Sequence, residues 1–91
     1  MKAIIEEWRR RIDQLDSQIV ALLNERAEHA IRVGREKQKK HQSIHSPERE
    51  AEVLQRAFAA NQGPLDEQAI ERIFRAIIEE SRRLQERQMG G

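Results

Sequence analysis

Two cations stand where this chain is due apolar side chains. Ile4, Trp8, Ile12, Leu15, Ile19 and Leu22 recur at steps of three and four, and the series runs on through Arg26, Ala30, Val33 and Lys37. That spacing marks one face of a helix. A cation on an inward face costs on the order of several kcal/mol unless an anion meets it. Arg26 and Lys37 are close to three whole turns apart, so their Cα atoms share a face at a separation of roughly 16–17 Å. Their side chains reach into that gap and leave room for a small dianion lying along the helix. The alternative is that both snorkel to solvent or pair with glutamates of a neighbouring helix.

The far end of the chain repeats the anomaly in neutral form. Ile70, Ile73, Phe74, Ile77, Ile78 and Leu84 trace an apolar stripe, and Ser81 and Gln85, one turn apart, interrupt it. They offer hydrogen bonds at bundle depth, or else form a satisfied polar pair in a core. Ser46-Pro47-Glu48-Arg49-Glu50 opens another helix, whose first-turn amides suit an anion or a hydroxyl. Read more plainly, Glu48 and Glu50 complement the helix dipole and Arg49 is a surface charge. Cysteine is absent and Ser81 has no histidine at a useful spacing, so nucleophilic catalysis is not expected. His29, His41 and His45 do not form a ligand cluster, and the Glu-x-x-His pairs of di-iron bundles are missing, so neither a metal nor a cofactor is expected. Cations with neutral donors suit binding, positioning and electrostatic stabilisation.

Three helices must position these groups. Lys2 to Lys40 holds no proline and a single glycine, Gly34. As one helix it is roughly 58 Å long, whereas a compact domain of this length has a radius of gyration of about 12 Å. Its own chain cannot cover it, and a second copy is expected to cover the excess. His41 to His45 is a short polar loop. Ser46 then reads as N-cap and Pro47 as the first helical position. The second helix runs from Pro47 to Ala60 with Leu54, Ala57 and Phe58 facing inward. Asn61-Gln62-Gly63-Pro64 is a turn. Asp66 or its neighbour caps a third helix that ends near Gln88, and Met89 to Gly91 is expected to fray. Residues 1–91 are thus expected to form a single all-α domain that pairs into a homodimer.

Composition narrows the partners. Net charge is +1 with both signs mixed along every segment, unlike the one-sided basic face of a nucleic-acid binder. No apolar run is long enough to span a membrane, and the N-terminus lacks the apolar core of a signal peptide. A cytoplasmic location is expected, and the missing cysteines fit a reducing compartment.

Five short motifs in order carry a resemblance. Arg9-Arg10-Arg11-Ile12-Asp13-Gln14-Leu15-Asp16 fits R-x-x-I-D-x-[LI]-D, and Leu22-Leu23-Asn24-Glu25-Arg26 fits L-L-x-x-R. Val33-Gly34-Arg35-Glu36-Lys37 fits V-G-x-x-K, and Pro47-Glu48-Arg49-Glu50 fits P-x-R-E. The run from Ile77-Ile78-Glu79-Glu80-Ser81 to Gln85 fits I-I-E-x-S-x-x-x-Q. Each is weak alone; together, at these separations, they make the chain from Trp8 to Gln88 resemble the all-helical chorismate mutases. The resemblance implies an intertwined dimer of three-helix chains that rearranges chorismate to prephenate without a cofactor or covalent intermediate. It implies that Arg9 reaches into the partner's site to bind a substrate carboxylate, and that Arg26 binds a carboxylate from its own chain. It further implies that Lys37 and Gln85 donate to the breaking ether oxygen, and that Glu50 with the backbone near Ser46 holds the ring hydroxyl. Arg49 would support the carboxylate network, and Ser81 would contact the ring carboxylate. The chain departs from many members in carrying Ser46 where they carry aspartate.

Two rivals accompany this reading. The isochorismate–pyruvate lyase of salicylate synthesis looks like the same fold, but it lacks the acid that Glu50 supplies and has a bulky residue in place of Ser81. A non-catalytic helical dimerisation or regulatory domain is the other, and it has no use for Lys37 and Gln85.

Overall fold

The structure is a computed structural model that describes residues 2–90. Helix α1 spans Lys2–Lys39, α2 spans Pro47–Ala60 and α3 spans Glu67–Gln88. The expected boundaries hold within a residue. Met1, and Gly91 at the end of the expected fray, lie outside the described residues.

The helix ends follow from local chemistry. α1 stops where His41 takes a left-handed conformation at φ 55. The Gln42 amide then reaches back to the Lys37 carbonyl at 2.8 Å and the His41 amide to Gln38 at 3.1 Å, which satisfies carbonyls left over at the helix end. Ser46, in extended conformation, accepts the Arg49 amide at 3.3 Å and starts α2, with Pro47 in its first turn. Asn61 builds the next turn, taking the Gly63 amide on its side-chain oxygen at 3.0 Å and donating to the Leu65 carbonyl at 2.8 Å. Gly63 there has φ +75, a conformation glycine adopts without penalty. Asp66 caps α3 through the Ala69 amide at 2.8 Å.

α3 is the shared partner, packing against both α1 and α2. Leu54 and Gly34 are buried, while Ala57, Phe58, Ile70, Phe74, Ile77, Ile78 and Leu84 are half-buried around them. Of the expected α3 stripe, Ile73 is not inward in the single chain, at 46% exposed, and neither is Val33 of the α1 stripe, at 50%. The expected fray fails at Met89, which caps α3, is half-buried, and accepts a hydrogen bond from Gln38 at 3.2 Å.

The first half of α1 has no cover. Trp8, Ile12, Leu15, Ile19 and Leu22 are all more than half exposed. Only Arg26, Ala30 and Lys37 of the long stripe are screened by the chain itself. The molecule measures 59 × 24 × 15 Å with a radius of gyration of 16.6 Å, well above the value of about 12 Å for a compact domain of this length.

Candidate active site

One cavity of about 250 Å³ opens between the second half of α1, the loop before α2, the start of α2 and the end of α3. Arg26, Lys37, Ser46, Arg49, Glu50, Ser81 and Gln85 all line it. Arg9 does not. It is exposed on the far half of α1, about 25 Å from Arg26 at helical rise. Apolar side chains from Val33, Val53 and Ile78 complete the walls.

The two stripe cations turn to different partners. The Arg26 guanidinium donates to the Ser81 hydroxyl at 2.7 Å, and the Lys37 ammonium donates to the Ile44 carbonyl at 3.3 Å. Both cations are half-buried rather than fully buried, because the cavity between them is open. Among the described residues, neither pairs with a carboxylate. Burial, and after it the positive charge of Arg49, holds Arg26 below the ordinary guanidinium pKa. It stays a cation at neutral pH all the same. A half-buried cation with a second cation beside it is an environment that an anion relieves.

The opposite wall is mixed. Glu50 lies 3.4 Å from the His45 imidazole. Arg49 reaches outward to Glu52 at 3.2 Å. The Gln85 amide nitrogen donates to the Ala30 backbone carbonyl at 2.7 Å. Among the described residues, no group of three or more His, Asp and Glu side chains could hold a metal ion.

Sequence reasoning gave Arg82 and Gly34 no role in the site. Arg82 lines the cavity beside Ser81, held by Glu79 at 2.6 Å and Glu86 at 3.9 Å. The hydrogen bond to Glu79, with its charge, keeps the Arg82 guanidinium above its ordinary pKa. In sequence it reads as one more solvent-facing charge among its neighbours. Gly34 is the other. Its signal was available, since a lone glycine inside a helix costs about 1 kcal/mol relative to alanine and asks for a packing reason. Here the reason is contact: a Cβ at position 34 would meet Gln85 Cγ at 3.3 Å.

Comparison with known proteins agrees with this fold. The family model of chorismate mutase type II matches residues 8–86. The chain is 42% identical over 72 residues to a bifunctional chorismate mutase/prephenate dehydratase of Neisseria gonorrhoeae, covering 79% of this chain and 19% of that protein. It is 40% identical over 78 residues to the protein of the same name from Aquifex aeolicus, covering 81% and 22%. This chain therefore spans about a fifth of the length of these curated relatives. A solved chorismate mutase from Thermus thermophilus superposes with a TM-score of 0.90 at 32% identity, covering 92% of this chain and 96% of that one. Three packed helices around a cation-lined cavity thus have a known setting: the chain belongs to the chorismate mutase type II family.

Proposed function

We propose that this chain catalyses the pericyclic rearrangement of chorismate to prephenate, in the cytoplasm, as a step towards phenylalanine and tyrosine, with residues 1–91 acting as one domain. The observation that carries the reading is the cavity itself: Arg26, Lys37 and Gln85 line it together, with no carboxylate on either cation among the described residues. The substrate is a dicarboxylate with a breaking C–O bond, and it needs cations at its ends and a donor at the ether oxygen.

On this reading the reaction takes place within one molecule, so the protein's contribution is to hold a compact conformer and stabilise growing charge. Arg26 takes one carboxylate, with Ser81 beside it. Arg49 supports that network. Glu50 and the backbone near Ser46 hold the ring hydroxyl. Lys37 and Gln85 meet the ether oxygen, and their hydrogen bonds strengthen as negative charge develops there. That gain, present in the transition state and weaker in the ground state, is what raises kcat.

The second carboxylate requires Arg9, which lies outside the cavity of its own chain. We infer an intertwined homodimer in which Arg9 of one copy enters the site of the other. The exposed apolar stripe from Trp8 to Leu22 supports this, since a second copy of the same stripe is the surface that matches it.

The test is incubation with chorismate, following its loss of absorbance and identifying the product. Prephenate is the expected product. Pyruvate release from isochorismate would instead favour the lyase, and no turnover of either would favour a regulatory domain.

A further inference from the structure

We propose that Gly34 and the Ala30 carbonyl it leaves open form a positioning device for Gln85, fixing which way its amide faces. The proposal rests on the reading of Gln85 as a donor to the reacting oxygen and goes beyond it by naming what holds that donor.

A glutamine amide has two faces of nearly equal shape, one donating and one accepting. A site that needs a donor is served only when the nitrogen faces the substrate. Free rotation about the last side-chain bond would present oxygen to oxygen for part of the time. Here the amide nitrogen lies 2.7 Å from the Ala30 carbonyl oxygen. A carbonyl only accepts, so the flipped amide would set two oxygens against each other and is excluded. One N–H is thereby anchored on α1, and the second is left over. Gln85 lines the cavity, and in this device the second N–H is the one offered to the substrate.

Gly34 makes the anchor reachable. Within α1 the Ala30 carbonyl accepts the Gly34 amide four residues on, and its other lone pair is free for a second donor. A side chain at position 34 would stand beside that lone pair. Its Cβ would lie 3.3 Å from Gln85 Cγ, 3.6 Å from Gln85 Cβ and 3.6 Å from the Met89 methyl. The atom met most closely, Gln85 Cγ, belongs to the stem of the side chain near the α3 backbone, so the stem must give by a few tenths of an ångström and carries the amide with it away from Ala30. Met89 closes the other side, tied to α1 through Gln38 at 3.2 Å. Position 34 is thus a place where the chain accepts glycine's poor helix propensity in return for one aligned side chain.

The experiment uses the full chain with four combinations: wild type, Gly34→Ala, Gln85→Ala and the double variant. Gly34→Ala is expected to lower kcat by about 10- to 100-fold, the scale of a displaced catalytic group, with a much smaller change in KM. In the Gln85→Ala background the same substitution is expected to change kcat by less than about two-fold, because the side chain it displaces is gone. Equal losses in both backgrounds, or no loss in the first, would overturn the proposal. A second measurement is independent of activity and needs no variant. In isotopically labelled wild-type protein, a through-hydrogen-bond coupling between the Gln85 side-chain nitrogen and the Ala30 carbonyl carbon is expected, and its absence overturns the device. If the wild type shows that coupling but turns over no chorismate, the proposed function has failed and the positioning device stands.

Discussion

The Arg26 guanidinium and the Ser81 hydroxyl meet at 2.7 Å across the cavity, joining residues fifty-five positions apart in the chain. The contact ties the middle of α1 to the end of α3 and gives Arg26 a neutral partner. Its charge therefore remains available to a ligand, while its direction is already set.

Removing that hydroxyl tests the arrangement. Ser81→Ala leaves the charge of Arg26 and takes away its guide. A hydrogen bond to a charged group contributes about 1.5–3 kcal/mol, so kcat/KM for chorismate is expected to fall roughly ten- to a hundred-fold. Steady-state kinetics indistinguishable from wild type would mean that something else aims Arg26.

Lys37→Ala should remove most of the activity. Loss of one donor to a developing oxyanion costs about 3–4 kcal/mol of barrier. The fold should survive, because Lys37 is half-buried and its visible partner is a single loop carbonyl, that of Ile44. Circular dichroism and a thermal melt check the fold, and turnover checks the site. Near-normal kcat in a well-folded variant would remove Lys37 from the mechanism.

Gln85→Glu should convert a pH-insensitive donor into an acid-dependent one. As a carboxylate the new side chain donates to nothing and faces the Ala30 carbonyl, an unfavourable meeting of oxygens. As a neutral acid it donates one proton. The rate should therefore rise as pH falls through the pKa of the new group, which burial and the Ala30 carbonyl raise and Arg26 and Lys37 lower. A pH–rate profile that stays flat with activity retained would place Gln85 outside the chemistry.

Ser46→Asp should be tolerated or improve substrate binding. The Ser46 hydroxyl caps α2 by accepting the Arg49 amide at 3.3 Å, and aspartate is as good in that role. KM is expected to stay level or fall, with the melting temperature unchanged or higher. A large loss of kcat/KM would mean that the side chain at this position points somewhere other than the cap.

Arg9→Ala and Arg26→Ala should each be nearly inactive, and mixing them should recover activity. If Arg9 acts across a two-fold dimer, unfolding equal amounts together and refolding gives about half mixed dimers. Each mixed dimer rebuilds one complete site, so activity should return to about a quarter of wild type. No recovery, with mixed dimers shown to form by mass spectrometry, rules out a site shared between copies.

Most of the fold was legible because the periodicity was strong and the caps were of standard chemistry. Ser46, Pro47 and Asp66 mark helix starts by residue type alone. The cavity was half legible: Arg26, Lys37, Ser81 and Gln85 stand out as polar interruptions of apolar stripes. What a stripe does not reveal is how its interruptions are partnered. Arg26 chooses Ser81, Lys37 chooses a loop carbonyl, and Gln85 chooses a backbone group on another helix. The choices of Arg26 and Gln85 depend on the close approach of α1 and α3, where a Cβ at Gly34 would press on Gln85. Arg82 was illegible for a different reason. It sits in a run of charges that pair along α3 itself, and only the packing of α2 and α3 shows that it also faces the cavity.

The uncovered half of α1 makes concentration a variable of the chemistry. Residues 3–25 are exposed in the single chain, and a lone helix in water frays rapidly. Under the proposed pairing, the event that protects those backbone amides is also the one that delivers Arg9. Amide hydrogen exchange along α1 should then slow as protein is added, first half most, and specific activity should rise along the same titration. Dilution would switch the catalyst off before it unfolds the half of the molecule that holds the cavity.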